Sequence, residues 1–150
     1  MKLRTSSSHT IEIAAPVERC LHLFTPIGEE RWVDGWKPRY VMPADGRTEP
    51  GMVFTTGSGD DFTIWTLVDF DEHVHRARYA RVTPATRSAI VDVQCTGSAD
   101  GASTSVQVSY TVTALAPQGV PALAPYQGLA FVEMIEGWRK AIEAKLPELS

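Results

Sequence analysis

Residues 73–82, HVHRARYARV, put two histidines, three arginines and a tyrosine into one extended run. Side chains on a strand alternate between faces, so if Ala77 and Tyr79 point inward, His75 and Arg81 point inward with them. In the opposite register Val74, Ala80 and Val82 face inward and Arg76 and Arg78 share their side. A buried Arg or His without a partner is costly, so on the first face His75 or Arg81 would orient a ligand or take part in catalysis. Both registers bring charge toward the interior unless the strand ends lie at a rim, where long side chains reach water, and the rim is the preferred reading. His73-x-His75 would set two imidazoles on one face, as in some metal sites. No third ligand stands out, so an exposed turn and strand start is expected there and no metal. Nothing marks His9 or His22 as a base. The chain has no G-x-S-x-G, H-E-x-x-H, P-loop or G-x-G-x-x-G, and Gly57-Ser58-Gly59 reads as a hairpin turn, so no cofactor is expected.

The elements that must position these groups are legible from periodicity. From residue 119 onward Leu123, Phe131, Met134, Ile135, Trp138, Ile142 and Leu146 recur at steps of three and four, one apolar stripe on a helix. Its other face carries charges, with Glu136–Lys140 and Arg139–Glu143 at supportive i,i+4 spacing. Pro121 or Pro125 suits the first turn and Pro147 ends the run. A start near Pro125 gives about 22 residues and roughly 33 Å, enough to cross a small domain. Gly128 and Gly137 fall inside that helix, where glycine costs about 0.5–1 kcal/mol relative to alanine, so they mark room left for a ligand, a close helix–sheet contact or tolerance in an otherwise well-packed helix.

At the other end, residues 8–14 alternate as a half-buried strand with His9, Ile11 and Ile13 on one side. Pro16 then opens a short helix carrying Val17, Cys20, Leu21 and Phe24 on one face. Thr25 caps a second short helix with Pro26 in its first position and Glu29 and Glu30 in its opening turn, where carboxylates suit the helix dipole; it ends by Gly35 and sets Trp32 and Trp36 four apart. Six extended segments follow, at 40–42, 52–56, 62–70, 73–82, 87–96 and 103–113, separated by turn residues too few for a crossover helix. Consecutive strands therefore pair antiparallel as a meander. In the last, Val106, Val108, Tyr110 and Val112 face one way and Ser105, Gln107, Ser109 and Thr111 the other. The sheet has one wet face, and only the terminal helix is long enough to cover the dry one.

Composition sets the bounds. With 150 residues, 43% hydrophobic and 21% charged, the chain suits one globular domain over residues 1–150, without repeats or linkers. A net charge of −4 with 14 scattered Lys and Arg gives no electrostatic reason to expect nucleic acid. The start MKLRTSSSHT lacks an apolar signal core and no run reaches the ~20 apolar residues of a membrane span, so a cytoplasmic, soluble protein is expected. Cys20 and Cys95 form no ligand cluster and read as two buried reduced thiols.

Several stretches together resemble a known superfamily: IEIAAPVERCLHLFTP from Ile11, G-x-V-F-T-T at 51–56, Ile64-Trp65, ARYARVTP at 77–84 and YTVTALAPQG from Tyr110. They are similar to the polyketide cyclase/dehydrase and lipid-transport superfamily, SRPBCC, which includes START domains and birch-pollen-allergen-like proteins. The resemblance spans nearly the whole chain. It implies an α+β helix-grip fold: a seven-stranded antiparallel sheet curled around a long C-terminal helix, with two short helices between strands 1 and 2.

It also implies a cavity between sheet and helix for a lipid, sterol, polyketide or similar apolar molecule. Phe131, Met134, Ile135 and Trp138 are then wall candidates on the helix, and Trp36, Trp65, Tyr79 and Tyr110 are wall candidates elsewhere, their hydroxyl and indole N–H groups serving as polar handles. The first functional reading is a carrier or sensor of a hydrophobic small molecule. The second is a cyclase/dehydrase-like enzyme using Tyr79, Arg81, His75 or Tyr110, because enolisation needs a proton acceptor beside an oxyanion-stabilising donor. The third is a protein-interaction module like the superfamily's chaperone co-activators, which predicts a wide exposed apolar patch and a filled interior. A monomer or homodimer is expected. Fold does not choose among these readings.

Overall fold

In the computed structural model of the chain, which describes residues 2–148, strand β1 (Arg4–Ile13) leads into helices α1 (Val17–Leu23) and α2 (Pro26–Glu29). Strands β2 (Arg39–Met42), β3 (Val53–Thr56), β4 (Thr63–Asp71), β5 (Arg76–Thr83), β6 (Arg87–Gly97) and β7 (Thr104–Ala114) follow. A 3-10 segment, Pro117–Tyr126, then precedes helix α3 (Gly128–Lys145). The strands form one antiparallel sheet in the order β1-β7-β6-β5-β4-β3-β2, a meander closed at one edge by β1 pairing with β7. This is the helix-grip arrangement. No helix among the described residues is long and apolar enough to cross a membrane.

Alternation selects the inner face. Val106, Val108, Tyr110 and Val112 of β7 are all buried, as are Ala89, Val91, Val93 and Cys95 of β6. Phe131, Ile135 and Ile142 of α3 close over them at 1% exposure or less. Cys20 and Cys95 are free and buried, and burial pushes the Cys95 thiol up to about 12. Thr25 caps α2 as its position suggests, its Oγ1 accepting the Gly28 N–H at 3.0 Å.

Three boundaries differ most from the sequence expectation, each for a local reason. Strand β1 begins at Arg4, because its polar start finds cross-strand partners on β7: Ser8 and Ser109 hydroxyls meet at 3.0 Å, and Arg4 Nε donates to Thr113 Oγ1 at 3.0 Å. Strand β5 begins at Arg76 rather than His73, because Asp71 Oδ1 accepts the N–H groups of His73 (2.8 Å) and Val74 (3.2 Å) and turns the chain before the ladder forms. His75 sits in that turn at φ 60°.

Helix α3 has 18 residues and starts at Gly128, past both prolines, which lie in the 3-10 segment. Gly128 takes φ +54° at the joint, a backbone conformation that suits glycine. Gly137 is exposed, faces open space and does not line the cavity, so of the three readings tolerance in the helix is the one it fits. Arg139 pairs with Glu143 at 2.9 Å as the spacing suggests, but Glu136 turns from Lys140 to Arg139 Nε and His9 Nε2, each at 2.7 Å, because β1 runs beside α3.

Candidate functional site

A cavity of about 180 Å³ lies between the sheet's inner face and the helices. The sheet supplies Phe54 from β3, Trp65 from β4, Tyr79 and Arg81 from β5, Val91 and Val93 from β6 and Tyr110 from β7. Across from them, α3 supplies Met134 and Trp138, four residues apart on one face. The α2 region contributes Glu29, Trp32, Val33 and Trp36, and Phe24 and Tyr126 complete the wall.

The aromatic rings brace one another in two groups. Phe54 stacks on Trp65 with centroids 5.5 Å apart, and Trp36 and Tyr79 meet Trp65 edge-on at 5.8 and 6.0 Å. On the other side Trp138 contacts Phe24, Trp32 and Tyr110, and Tyr110 stacks on Tyr126 at 5.3 Å. Such edge and offset contacts each add about 0.5–1.5 kcal/mol beyond burial, which gives the wall rigidity without filling the space inside it.

Most polar handles of these rings are already occupied. Trp32 Nε1 donates to the Leu23 carbonyl (2.7 Å), Trp36 Nε1 to the Pro26 carbonyl (2.9 Å) and Trp65 Nε1 to Thr56 Oγ1 (3.0 Å). Tyr79 donates its hydroxyl to the Phe24 carbonyl at 2.7 Å, and burial raises its pKa further. The Trp32 and Trp36 bonds fold residues 23–36 onto themselves, and the Tyr79 bond ties that segment to β5. Together with the Trp65 bond they also correct the expectation that Trp36, Trp65 and Tyr79 offer polar contacts to a guest; they offer faces.

Three polar groups remain turned to the cavity. Arg81 is half-buried with its guanidinium carbon 4.4 Å from the Trp65 ring centroid, a cation–π contact between residues paired across β4 and β5. Tyr110 lies beside Arg81, and burial raises its pKa. Burial pushes the Glu29 carboxyl up to about 8, with the Arg81 charge only partly opposing the rise. Glu29 is therefore mostly protonated at neutral pH, and Arg81 has no ion-pair partner within 4 Å among the described residues.

Of the residues singled out from sequence, the cavity brings together Trp36, Trp65, Tyr79, Tyr110, Met134, Trp138 and Arg81. Phe131 and Ile135 lie outside it, in solid core, because their positions on α3 aim them at the β1–β7 side of the sheet while Met134 and Trp138 flank the space. His75 is held in its turn, away from the cavity. Of the two registers of β5 the first is present: Arg81 follows Ala77 and Tyr79 to the cavity wall, where it stays partly exposed, while Arg76 and Arg78 face out and pair with Asp69 (2.8 Å) and Asp92 (3.6 Å).

Glu29 is the charged wall residue that reading the sequence does not place at the site, and Phe24, Trp32, Val33, Phe54, Val91, Val93 and Tyr126 are not singled out for it either. Glu29 carries a signal all the same, since Glu29, Trp32, Val33 and Trp36 stand at i, i+3, i+4 and i+7, although α2 ends at Glu29 and turns, not a helix, bring the aromatic residues beside it. Glu30, one position on, is exposed and accepts the Tyr40 hydroxyl.

No family model matches the chain, and no curated protein matches it. Solved structures do. The crystal structure of Ara h 8.0201 superposes with a TM-score of 0.67 at 14% identity, covering 97% of this chain and 99% of that one. Norcoclaurine synthase from Thalictrum flavum gives 0.65 at 12% identity, over 93% of this chain and 87% of the synthase. The Zhui aromatase/cyclase from Streptomyces sp. R1128 gives 0.63 at 11%, over 95% and 96%. A curled antiparallel sheet holding a long C-terminal helix around a hollow interior defines a helix-grip protein. The chain has the fold of the SRPBCC, or birch-pollen-allergen-like, superfamily.

Proposed function

We propose that this protein binds a hydrophobic, ring-bearing small molecule in the cavity between the sheet and α3, as a carrier or sensor. One observation carries the reading: about 180 Å³ of interior is walled by aromatic rings, with the Trp32, Trp36 and Trp65 indole N–H groups and the Tyr79 hydroxyl bonded to the protein itself, leaving flat apolar faces for a guest. An engineered cavity of about 150 Å³ lined by apolar side chains takes up benzene, so this volume suits one or two fused rings. The neighbours by fold include two enzymes, a norcoclaurine synthase and an aromatase/cyclase. The cavity favours a bound small molecule over a purely protein-binding role, for which a filled interior is expected.

Two measurements test it. Mass spectrometry of small molecules extracted from the native protein should find an apolar ring compound, and 2-naphthamide should raise the melting temperature. Empty extracts together with no thermal shift from any naphthalene-sized compound would defeat the reading.

A second reading, an enzyme acting on a ketone, is supported by Glu29 and Arg81 sharing the cavity. In its ionised form, populated as pH rises through about 8, the Glu29 carboxylate would take a proton from the carbon beside the carbonyl, the C–H electron pair would move to oxygen as an enolate, and Arg81 would hold that oxygen. The check is hydrogen–deuterium exchange at the methyl group of 2-acetylnaphthalene in D₂O. The expected result is exchange faster than in buffer and slowed about 100-fold by Glu29→Gln, the usual scale of acid–base catalysis. Exchange at the buffer rate, or indifference to the variant, rules the reading out.

A further inference from the structure

Arg81 poses a question that the apolar wall does not answer. A half-buried guanidinium over Trp65, with no carboxylate within 4 Å among the described residues, has lost part of its hydration without gaining a counter-ion. The other groups at that end of the cavity do not neutralise it. Tyr110 is a neutral hydroxyl, and Tyr79 is committed to the Phe24 carbonyl. The outward arginines of the same strand show the contrast, since both Arg76 and Arg78 have aspartate partners. Charge in this cavity is therefore lopsided: aromatic faces over most of the wall and one unpaired cation beside a hydrogen-bonding hydroxyl.

We infer that the ligand of this cavity is an aromatic or fused-ring acid, its rings between the two aromatic groups and its anionic end, a carboxylate or a phenolate, on Arg81 and Tyr110. The inference rests on the binding function proposed above and narrows it to a chemical class. Glu29 fits the arrangement in its neutral form, in which its O–H can donate to the same anion. Its ionised form would instead place a second negative charge there. The groups facing Glu29 are Arg81 and Tyr79 of β5, Tyr110 of β7 and Tyr40 of β2, of which only Arg81 is charged at neutral pH.

The test uses two probes of nearly the same shape, 2-naphthoate and 2-naphthamide, titrated calorimetrically into the intact protein at pH 6.5 and pH 9.5. The expected result at pH 6.5 is naphthoate binding about 10-fold or more tighter than the amide, a difference of the size that charge-assisted hydrogen bonds produce. Arg81→Gln should remove that preference while changing amide affinity less than about threefold, and Arg81→Lys should restore part of it. Naphthoate affinity should fall between the two pH values as Glu29 ionises, and Glu29→Gln should flatten the fall.

Equal affinity for acid and amide on the unaltered protein overturns the inference and leaves the binding function standing. Binding of neither probe overturns both. Because the two probes are compared on the unaltered protein, the decisive comparison does not depend on any variant folding.

Discussion

Replacing Glu29 by glutamine should stabilise the protein at alkaline pH, and by an amount that grows steadily from pH 4.5. The folded carboxyl titrates at about 8 and its ordinary value is 4.5. For a group raised in this way the stability is fully present below 4.5 and is lost as pH rises through 8, because between those values the folded state holds a proton that the unfolded chain has released. At about 1.4 kcal/mol per unit, the complete loss is about 4–5 kcal/mol. Glutamine cannot ionise, so the variant lacks this loss. Urea unfolding of both proteins from pH 4.5 to 9.5 should give a difference that opens toward high pH and levels off above about pH 9. A constant difference across the range would mean that the carboxyl is solvated and the site is not as dry as its wall implies.

Phe131→Ala should be the most damaging of the single changes on α3, costing about 3–5 kcal/mol. Phe131 is 1% exposed and packs edge-on against Tyr110 at 5.7 Å, so truncation leaves a void in solid core. In a chain of this length that corresponds to a fall in melting temperature on the order of 10 °C. Met134→Ala, three residues along, should cost far less, because Met134 is only half-buried and already borders empty space. Its effect should appear in ligand affinity. Comparable thermal losses from the two variants would contradict the division of α3 into a packing side and a cavity side.

That division shows what the chain discloses by itself. The stripe on α3 is visible as a period of three and four, but Phe131, Met134, Ile135 and Trp138 belong to the same stripe, and only the sheet's curl decides which of them meets core and which meets space. The strands are legible because Val106, Val108, Tyr110 and Val112 alternate cleanly with polar neighbours, and the cap at Thr25-Pro26 because both residue types have one good position there.

The start of β5 is obscured by Asp71, whose side chain captures two amides and turns the chain where the hydrophobic pattern alone suggests strand. The start of α3 is obscured because two prolines that suit a first turn serve equally well in a 3-10 segment. At the site, Arg81 is visible in the sequence as a charge on a strand of undecided face, and the register decides it. The Tyr79 hydroxyl's commitment to the Phe24 carbonyl is a tertiary bond that no local pattern encodes, and the Trp32 and Trp36 bonds close turns nine and ten residues long, beyond the reach of a helical or strand period. Glu29 looks locally like a carboxylate suited to a helix start, a role that conceals its place on an aromatic wall.

The central claim is that a small apolar molecule enters the space enclosed by β3 to β7, the α2 region and α3. The most direct measurement is a ¹H–¹³C methyl and ¹H–¹⁵N indole NMR titration with 2-naphthoate. The expected result is large, saturable shifts at the Met134 methyl, the Val91 and Val93 methyls and the Trp36 and Trp65 indoles, with little change at the exposed Val41 and Val68 methyls. Shifts confined to exposed methyls, or none at saturating probe, would contradict the account.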